Sequence, residues 1–394
     1  MARRRRTPRW HLALSALLLL AAVATVLVVQ WRTQPDSLLP GPGLPLAEPA
    51  LASSPRAFAD TLLSQTPGTL EEIGIWPELV SPSRQLADED PAPDPAAPEP
   101  ASFPDVVTVT VPADLPLAVV NLNLTRLVTW NGGQILTGIE HNARWVELSC
   151  GVDSTETTRY QLRHDSRLKR RTGRIAIVLD DFGHHSWDGN LVERFCALPW
   201  PLTLAILPNE GRAAEVASMA VRQGHEALLH LPMEPLDFPE EDPGDGAIFV
   251  RQDGATIRAL VRQALREVPD VAGVNNHMGS RATADSRVME EILGQLKELD
   301  LFFLDSRTTA ESLGYAMASA MGVPAARRDL FIDPVDEVAA VEDRLWALAA
   351  LAEDQGEAIG IGHDREQTLL ALQSVLPRLE SRGHRLVPVS QLVR

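Results

Sequence analysis

From residue 174 to the end of the chain, short apolar runs alternate with longer segments that have the pattern of amphipathic helices. Most of the apolar runs begin about 28 residues after the previous one, and they cover residues 175–179, 202–207, 227–229, 271–274, 301–304, 330–332, 358–361 and 385–387. Helices are predicted between them at 190–198, 211–222, 255–268, 286–299, 309–321, 336–352 and 366–379. Fully apolar strands that alternate with helices are typical of a parallel sheet with both faces covered.

Seven or eight such units predict a (β/α) barrel of parallel strands over residues 171–394, with an open doubly wound sheet as the structural alternative. No glycine-rich phosphate loop follows any predicted strand, which disfavours a nucleotide-binding sheet. The gap after the third strand is about twenty residues longer than the other gaps. Residues 231–254 are therefore predicted to form a lid or binding loop that overhangs a site.

Residues 1–33 have the pattern of a membrane anchor. Five arginines precede residues 12–29, an uncharged apolar run of 18 residues that is flanked by Trp10 and Trp31. A run of this length can span a bilayer, and the positive charge before it keeps that side cytoplasmic. We therefore expect a single-pass protein of a bacterial inner membrane, with its catalytic domain in the periplasm or outside the cell. A cleaved signal peptide is the alternative, because Ala22-Val23-Ala24 has the pattern of a cleavage site.

Two further regions precede the predicted barrel. Residues 34–104 contain half of the 30 prolines in the chain and are predicted to form a disordered, semi-extended linker. Residues 105–170 contain apolar runs with a period of two at 106–111, 117–122 and 145–150, around a turn at Gly132 and Gly133. This pattern predicts a small β-rich or α+β module, in which we find no catalytic constellation.

Charge and cysteine content narrow the possible functions. The chain has 53 acidic residues against 36 lysines and arginines, which gives a net charge of −17. Such a surface repels phosphate backbones, so nucleic acid is not an expected partner. Cys150 and Cys196 are too few for a disulfide framework or a cysteine zinc site, and Cys196 is expected to be a buried apolar side chain. Any metal must therefore be held by histidines and carboxylates.

Polar side chains follow most of the predicted strands. They are Asp180 and Asp181 after the first strand, His230 after the third, Asn276 and His277 after the fourth, Asp305 and Arg307 after the fifth, Asp333 after the sixth and His363 after the seventh. Each one alone has an ordinary structural explanation, such as a helix cap (favoured for Asp333), a hydrogen-bonded histidine or an ion pair. Together they indicate a site, because the C-terminal ends of barrel strands and the loops that follow share one face.

One aspartate and two histidines from different strands match a facial metal site that leaves positions open for water and substrate. Zinc suits these ligands, with iron, cobalt or manganese as alternatives. A bound divalent ion lowers the pKa of water from about 15.7 to about 7 and polarises a carbonyl oxygen, which is the chemistry of amide and ester hydrolysis. A second carboxylate can take the proton of the water, and a histidine across the pocket can protonate the leaving amine.

Five short segments of the barrel region are shared with a known family. They are IVLDDFG at 177–183, HLPMEP at 230–235, GVNNHMGS at 273–280, FLDSRT at 303–308 and IGH at 361–363. On these segments, residues 174–393 resemble the divergent polysaccharide deacetylases, a branch of the chitooligosaccharide and peptidoglycan deacetylases. The NNHMGS element is specific, whereas the Asp-Asp pair alone would not be.

This resemblance implies a distorted seven-stranded (β/α) barrel that holds a divalent metal. In the parent deacetylases the first aspartate of the pair is the general base and the second binds the metal, which map onto Asp180 and Asp181. The metal histidine after the third strand maps onto His230. The histidine of a late strand that acts as the general acid maps onto His363.

Two departures from the parent pattern concern the third metal ligand. The parent family has its second metal histidine four residues after the first, where this chain has Glu234. A parent Arg-Pro stretch is replaced here by Asn276-His277-Met278. We infer from the position after the strand that His277 is the replacement ligand. Glu234 stays a candidate ligand or a residue that supports one, and Asn276, Asp305 and Arg307 are candidates to bind substrate or to support the ligands.

The leading hypothesis is a metal-dependent hydrolase that removes acetyl groups from N-acetylated glycan or peptidoglycan of the cell envelope. The alternative is a catalytically inactive envelope protein whose deacetylase-like barrel binds glycan or a partner. A metal-dependent phosphoesterase is a third possibility, but the strand ends lack the cluster of lysines or arginines that is expected around phosphate.

Overall fold

A computed structural model describes residues 54–83, 104–183 and 190–394. Within these ranges, no helix is both long enough and apolar enough to cross a bilayer. The predicted anchor at 1–33 and most of the predicted linker at 34–104 lie outside the described residues. His184 and His185, a tandem pair whose loop position predicts solvated side chains, also lie outside them.

The described residues before position 171 form a sheet and two helices. The elements are α1 (Pro55–Glu71), β1 (Val80–Ser83), β2 (Asp105–Pro112), α2 (Leu117–Trp130), β3 (Gln134–Asn142), β4 (Trp145–Val152) and β5 (Thr155–Asp165). The strand order is β1-β2-β5-β4-β3, in which β2 and β5 are parallel and the other pairs are antiparallel. Phe58, Leu62, Leu124 and Tyr160 belong to one buried cluster that joins the helices to the sheet. Of the two predicted types of module, the structure has the α+β type.

The prediction of a disordered linker is wrong for residues 54–83, which contain α1 and β1. The helix starts at Pro55, a position that tolerates proline because its N–H would have no partner within the helix. Ser54 caps this end, since its Oγ accepts a hydrogen bond from the Ala57 N–H at 3.2 Å. Leu62 and Leu70 are then buried in the module.

The apolar run at 117–122 is grouped with the period-two runs, which predicts a strand. The structure has no strand there. The run begins the helix α2, whose buried residues include Val120, Leu124 and Leu127. These positions recur every three to four residues, which is the spacing of one helix face. The six-residue run is too short to show this helical period.

The remaining described residues form a parallel sheet that is covered by helices. Its strands are β6 (Arg174–Phe182), β7 (Thr203–Ile206), β8 (Glu226–Met233), β9 (Gly273–Met278), β10 (Phe302–Asp305), β11 (Ala325–Arg327), β12 (Leu330–Phe331), β13 (Glu357–His363) and β14 (Arg385–Leu386). Its helices are α3 (Leu191–Cys196), α4 (Ala213–Arg222), α5 (Gly254–Glu267), α6 (Ser286–Glu298), α7 (Gly314–Met321), α8 (Val338–Gln355) and α9 (Glu366–Arg382). The prediction of a parallel α/β sheet is confirmed, and only the three-residue strand β11 lacks a predicted counterpart.

The sheet is of the distorted barrel type. Its strand order is β11-β10-β9-β8-β7-β6-β13-β12, and β14 also pairs with β6. No ladder between the edge strands β11 and β12 is found in the described residues, although only Arg328 and Asp329 separate them in the chain. The two edges of the sheet therefore lie close together without a continuous set of hydrogen bonds between them.

Alternate residues of each strand enter two different cores. In β6, Ile177 and Leu179 pack in the cluster that contains the helices, whereas Ala176 and Val178 belong to a second cluster that holds strand residues and the chain's last segment. This second cluster is the interior of the barrel. The side chains that follow the interior positions at the C-terminal ends of the strands must therefore point into the mouth of the barrel.

Both cysteines are free and buried, Cys150 in β4 and Cys196 in α3. Burial raises the pKa of Cys150 to about 12 and the pKa of Cys196 to about 11. The two thiols are therefore protonated at neutral pH and unreactive, as a buried apolar role requires.

The position of Leu62 in the module core gives a test of the corrected boundary. We expect Leu62→Ala to lower the free energy of unfolding by about 2–5 kcal/mol, because the truncation leaves a cavity among buried side chains. The exposed Ser64→Ala on the same helix should change it by less than about 0.5 kcal/mol. Denaturant unfolding followed by circular dichroism measures both values. An unchanged midpoint for Leu62→Ala would mean that α1 is not part of the folded module.

Candidate metal centre

The polar side chains at the mouth of the barrel continue the interior-facing positions of their strands. Asp180 continues the series in β6, and His230 continues it in β8, two residues after the interior Leu228. In β9, Val274 packs outward against the helices, so Asn275 and His277 lie on the interior face. In β13, His363 is the last residue of the strand and lies on its interior face. Because the strands are parallel, these ends meet at one place.

Asp181 reaches the same mouth because the backbone of β6 is irregular there. The pairing of β6 with β7 has a register shift between Leu179 and Phe182, and Asp181 has a φ of 70°. A left-handed residue in such an irregularity breaks the alternation of side chains, so two consecutive carboxylates face one pocket. Asp180 Oδ2 lies 3.7 Å and Asp181 Oδ1 lies 3.2 Å from Nε2 of His230.

Three potential ligand atoms form a nearly equilateral triangle. Asp181 Oδ1 lies 3.2 Å from His230 Nε2 and 3.0 Å from His277 Nδ1, and the two nitrogens are 3.1 Å apart. With bonds of about 2.1 Å, two ligands of one cation lie about 3.0 Å apart at a right angle and about 3.4 Å apart at a tetrahedral angle. The triangle therefore has the size of one face of a metal coordination shell.

The chemistry of these atoms fits a divalent cation. Asp181 Oδ1 is buried and has no hydrogen-bond partner of acceptable geometry, although two ring nitrogens surround it. Two imidazoles and one carboxylate are a donor set that suits zinc and related ions. Within the ranges that the structure describes, Asp181, His230 and His277 are the one group of three such residues whose ligand atoms lie close together.

The tautomer of His230 is set by Asn275. His230 Nδ1 lies 2.9 Å from Asn275 Oδ1, which can only accept, so the ring proton lies on Nδ1 and the lone pair of Nε2 points into the triangle. The amide nitrogen of Asn275 donates to Asp180 Oδ1 at 2.8 Å and lies 3.3 Å from Ser306 Oγ. One buried amide therefore orients both a candidate metal ligand and the neighbouring carboxylate.

The two consecutive carboxylates differ in their electrostatics. Burial raises the pKa of Asp180, although the charges of His230 and His363 act against it. Burial acts in the same direction on Asp181, but its interactions with His230 and His277 hold the pKa of Asp181 far below the usual range. Asp181 is therefore an anion over the whole physiological range, whereas Asp180 accepts a proton more readily.

His363 is oriented by Asp333. Its Nδ1 lies 2.9 Å from Asp333 Oδ1, and its backbone N–H donates to Asp333 Oδ2 at 2.7 Å. Burial alone would lower the pKa of His363, but the hydrogen bond and charge of Asp333, with the charges of Asp180 and Asp181, raise it above the ordinary histidine value. Because Nδ1 is bound to Asp333, Nε2 is the atom that His363 presents to the pocket.

Glu234, the alternative third ligand, is not part of the triangle. Its Oε2 accepts a hydrogen bond from the Val250 N–H at 2.7 Å, and its Oε1 lies 3.6 Å from Nη1 of Arg281. The carboxylate is buried against the long loop that follows β8 and not against the other ligands.

Asn276 and Asp305 lie near the site but contact the surrounding backbone. Asn276 is on the other face of β9 from His277, and its Oδ1 accepts from the Ser306 N–H at 2.9 Å. The Asp305 carboxylate accepts from the N–H groups of Arg307 at 2.9 Å and Tyr315 at 3.0 Å. Both residues therefore hold the loops after β9 and β10, which is a supporting contact. The side chain of Arg307 is exposed.

The structure places at the site four residues to which the sequence assigned no ligand or proton-transfer role. Asn275 is two positions before His277, so strand alternation is a signal that would have placed both on one face. Asp333 has the pattern of a helix cap in the sequence, but it accepts from His363. Asp364 has its pKa raised to about 7 by burial and by the charge of Asp181. Arg328 lies 3.6 Å from the centre of the Phe331 ring, and it follows β11, the strand with no predicted counterpart.

Comparisons with known proteins identify the family and the fold of the barrel region. Residues 177–393 match the family model described as divergent polysaccharide deacetylase. An uncharacterised protein of Haemophilus influenzae is 36% identical over 206 residues, which are 52% of this chain and 72% of that protein. An uncharacterised protein of Escherichia coli K12 is 33% identical over 207 residues, or 52% of this chain and 63% of the relative.

A solved structure has the same fold over more than half of this chain. The crystal structure of an uncharacterised protein from Agrobacterium tumefaciens C58 superimposes with a TM-score of 0.54 and 26% sequence identity. The match covers 57% of this chain and 90% of that chain.

Each residue of the triangle offers one of three candidate metal donors, so its substitution should weaken metal binding measurably. We expect His230→Ala and His277→Ala to bind no stoichiometric zinc, because two remaining donors hold the ion weakly. His141→Ala, which removes an exposed histidine of the module, is the matched control and should bind zinc as the unaltered protein does. Isothermal titration with zinc and metal analysis after dialysis measure the outcome. One tightly bound zinc in His277→Ala would show that His277 is not a ligand.

Proposed function

This chain belongs to the divergent polysaccharide deacetylase family, and we propose that it is a metal-dependent hydrolase that removes acetyl groups from N-acetylated glycan of the cell envelope. The observation that carries the proposal is the triangle of Asp181, His230 and His277, with the buried Asp180 and the paired His363 beside it. The export pattern at residues 12–29 supports an envelope substrate, such as peptidoglycan.

The reaction breaks the C–N bond of an acetamido group with one water and releases acetate and an amine. Asp181, His230 and His277 would hold the divalent cation, which when bound lowers the pKa of water and polarises the acetyl carbonyl. Two proton transfers remain for the other side chains. One proton leaves the attacking water, and another reaches the amine nitrogen as the C–N bond breaks.

Asp180 is the general base of this proposal. It lies beside the triangle, with its Oδ2 3.7 Å from His230 Nε2, and Asn275 holds its other oxygen. Burial raises the pKa of Asp180, which brings a carboxylate closer to the range in which it takes a proton effectively. Asp181 is less suited to this role, because its histidine neighbours hold its pKa far below the usual range.

His363 is the general acid of this proposal. The pKa of His363 is raised because the interaction with Asp333 outweighs the effect of burial, so the imidazolium is present at a higher pH than for an ordinary histidine. Its Nδ1 is bound to Asp333, so Nε2 delivers the proton to the leaving nitrogen. The Phe331 ring stacks on the imidazole at a centroid distance of 6.0 Å.

The activity itself is tested by release of acetate. We expect the zinc-loaded protein to release acetate from chitooligosaccharides or from peptidoglycan fragments, and Asp180→Asn to slow this by about 10²–10⁴-fold while the metal stays bound. The exposed Asp343→Asn on α8 is the control and should keep full activity. No acetate from any of these substrates by metal-loaded protein would contradict the proposal. Loss of metal from Asp180→Asn would contradict the division of roles between Asp180 and Asp181.

The pH dependence tests the role of His363. Since its active form is the imidazolium, activity should fall as the pH rises through its pKa. Asp333→Asn removes the charge that raises this pKa, so the basic limb of the kcat/KM profile should move to lower pH. Asp336→Asn, an exposed control three residues away, should leave the profile in place. An unmoved basic limb in Asp333→Asn would mean that another group supplies the proton.

A further inference from the structure

Glu234 joins three segments of the barrel mouth. Its backbone N–H donates to the Ile248 carbonyl at 2.8 Å, and its Oε2 accepts from the Val250 N–H at 2.7 Å. Its own carbonyl accepts from the N–H groups of Arg281 and Ala282, both at 3.1 Å. The end of β8, the returning end of the loop at 235–250 and the turn after β9 are therefore connected through one residue.

The turn after β9 is the segment that follows the ligand His277. Met278 and Gly279 have φ values of 51° and 84°, so the chain reverses direction directly after the ligand. A Cβ on Gly279 would lie 2.9 Å from Cβ of Met233, so β8 and this turn are in close contact. The carbonyl of Glu234 holds the far end of this turn and so connects β8 to the segment that follows His277.

The loop at 235–250 also forms hydrogen bonds to its surroundings at other points. The side-chain amide of Asn209 donates to the Asp245 carbonyl at 2.9 Å. The N–H of Leu236 donates to Ser280 Oγ at 2.9 Å, and the carbonyl of Leu236 accepts from Nη2 of Arg281 at 2.8 Å. The loop therefore forms a wall that contacts the turn after His277.

We propose that Glu234 is a positioning residue, which fixes the loop wall to the turn after β9 and thereby holds His277 in the metal triangle. The proposal rests on the proposed metal site and deepens it. It assigns the carboxylate of Glu234 a task that depends on its length and its acceptor oxygen, and not on bonding to the cation. Glu234 is buried, with a side chain that is 7% exposed, so removal of the carboxylate leaves the Val250 N–H without its partner in a largely buried place.

This assignment predicts a specific order among three substitutions. Glu234→Gln keeps the length of the side chain and an oxygen that accepts from Val250. Glu234→Asp keeps the negative charge but is one methylene too short to reach that N–H. Glu234→Ala loses both. A ligand role would predict another order, because the aspartate keeps a donor for the metal and the neutral amide is a poor one.

The experiment measures cobalt and zinc binding by the full chain, with Glu241→Gln on the same loop as the exposed control. We expect Glu234→Asp and Glu234→Ala to bind both ions about 10–100-fold more weakly, as is usual when a residue that orients a ligand is lost. Glu234→Gln and Glu241→Gln should stay within about threefold of the unaltered protein. The visible spectrum of bound cobalt should change in Glu234→Asp and be restored in Glu234→Gln. Thermal melting shows which variants are folded. If Glu234→Ala does not fold, the comparison of Glu234→Asp with Glu234→Gln decides the outcome.

Two results would overturn the proposal. Unchanged affinity and spectrum in Glu234→Asp would show that His277 does not depend on this contact. Binding by Glu234→Gln as weak as that of Glu234→Ala would show that the carboxylate acts on the metal itself. If the unaltered protein binds metal but releases no acetate, the proposed activity fails while the order of the metal affinities still decides this proposal.

Discussion

Consecutive side chains of a β-strand point to opposite faces, and the whole site depends on which of these faces turns inward. In β6 the interior positions Ala176 and Val178 lead to Asp180, and in β13 the interior positions lead to His363. The parallel direction of the strands then brings these ends to one mouth. Asn276 shows the opposite case, because it is next to His277 in the chain but faces outward to the Ser306 backbone.

Asp181 is the exception to this alternation, and the metal triangle requires it. A non-glycine residue with positive φ costs on the order of 1–3 kcal/mol, so such a conformation persists only where its surroundings hold it. Here the irregular pairing of β6 with β7 provides the bend, and the two histidines provide the electrostatic compensation. The result is a pair of adjacent carboxylates with different pKa values, of which one suits a cation and the other suits a proton.

The departures from the parent deacetylase pattern are connected in space. Pro232 of β8 pairs with His277 of β9, so the candidate ligand from β9 lies next to the strand that carries His230. The site therefore does not need a ligand at position 234. Glu234 is turned toward the loop, where its backbone and carboxylate hold the wall beside the ligands. Two changes that look independent in the chain are thus parts of one arrangement of β8, β9 and their loops.

The local pattern of the chain determined the strands and helices of the barrel, its parallel sheet and the polar side chains at its strand ends, since burial on both faces and helical periodicity leave direct signatures in sequence. The family resemblance added Asp181 and His230 as candidate ligands, and the position of His277 directly after its strand added the third. The contacts around the site were decided only by the tertiary structure, because Asn275 pairs with His230, Asp333 with His363 and Glu234 with Val250, in each case across segments that are distant in the chain. The proline-rich region misled for the same reason, since α1 is stabilised by burial of Leu62 and Leu70 in a sheet formed later in the chain, a contact that no local pattern contains.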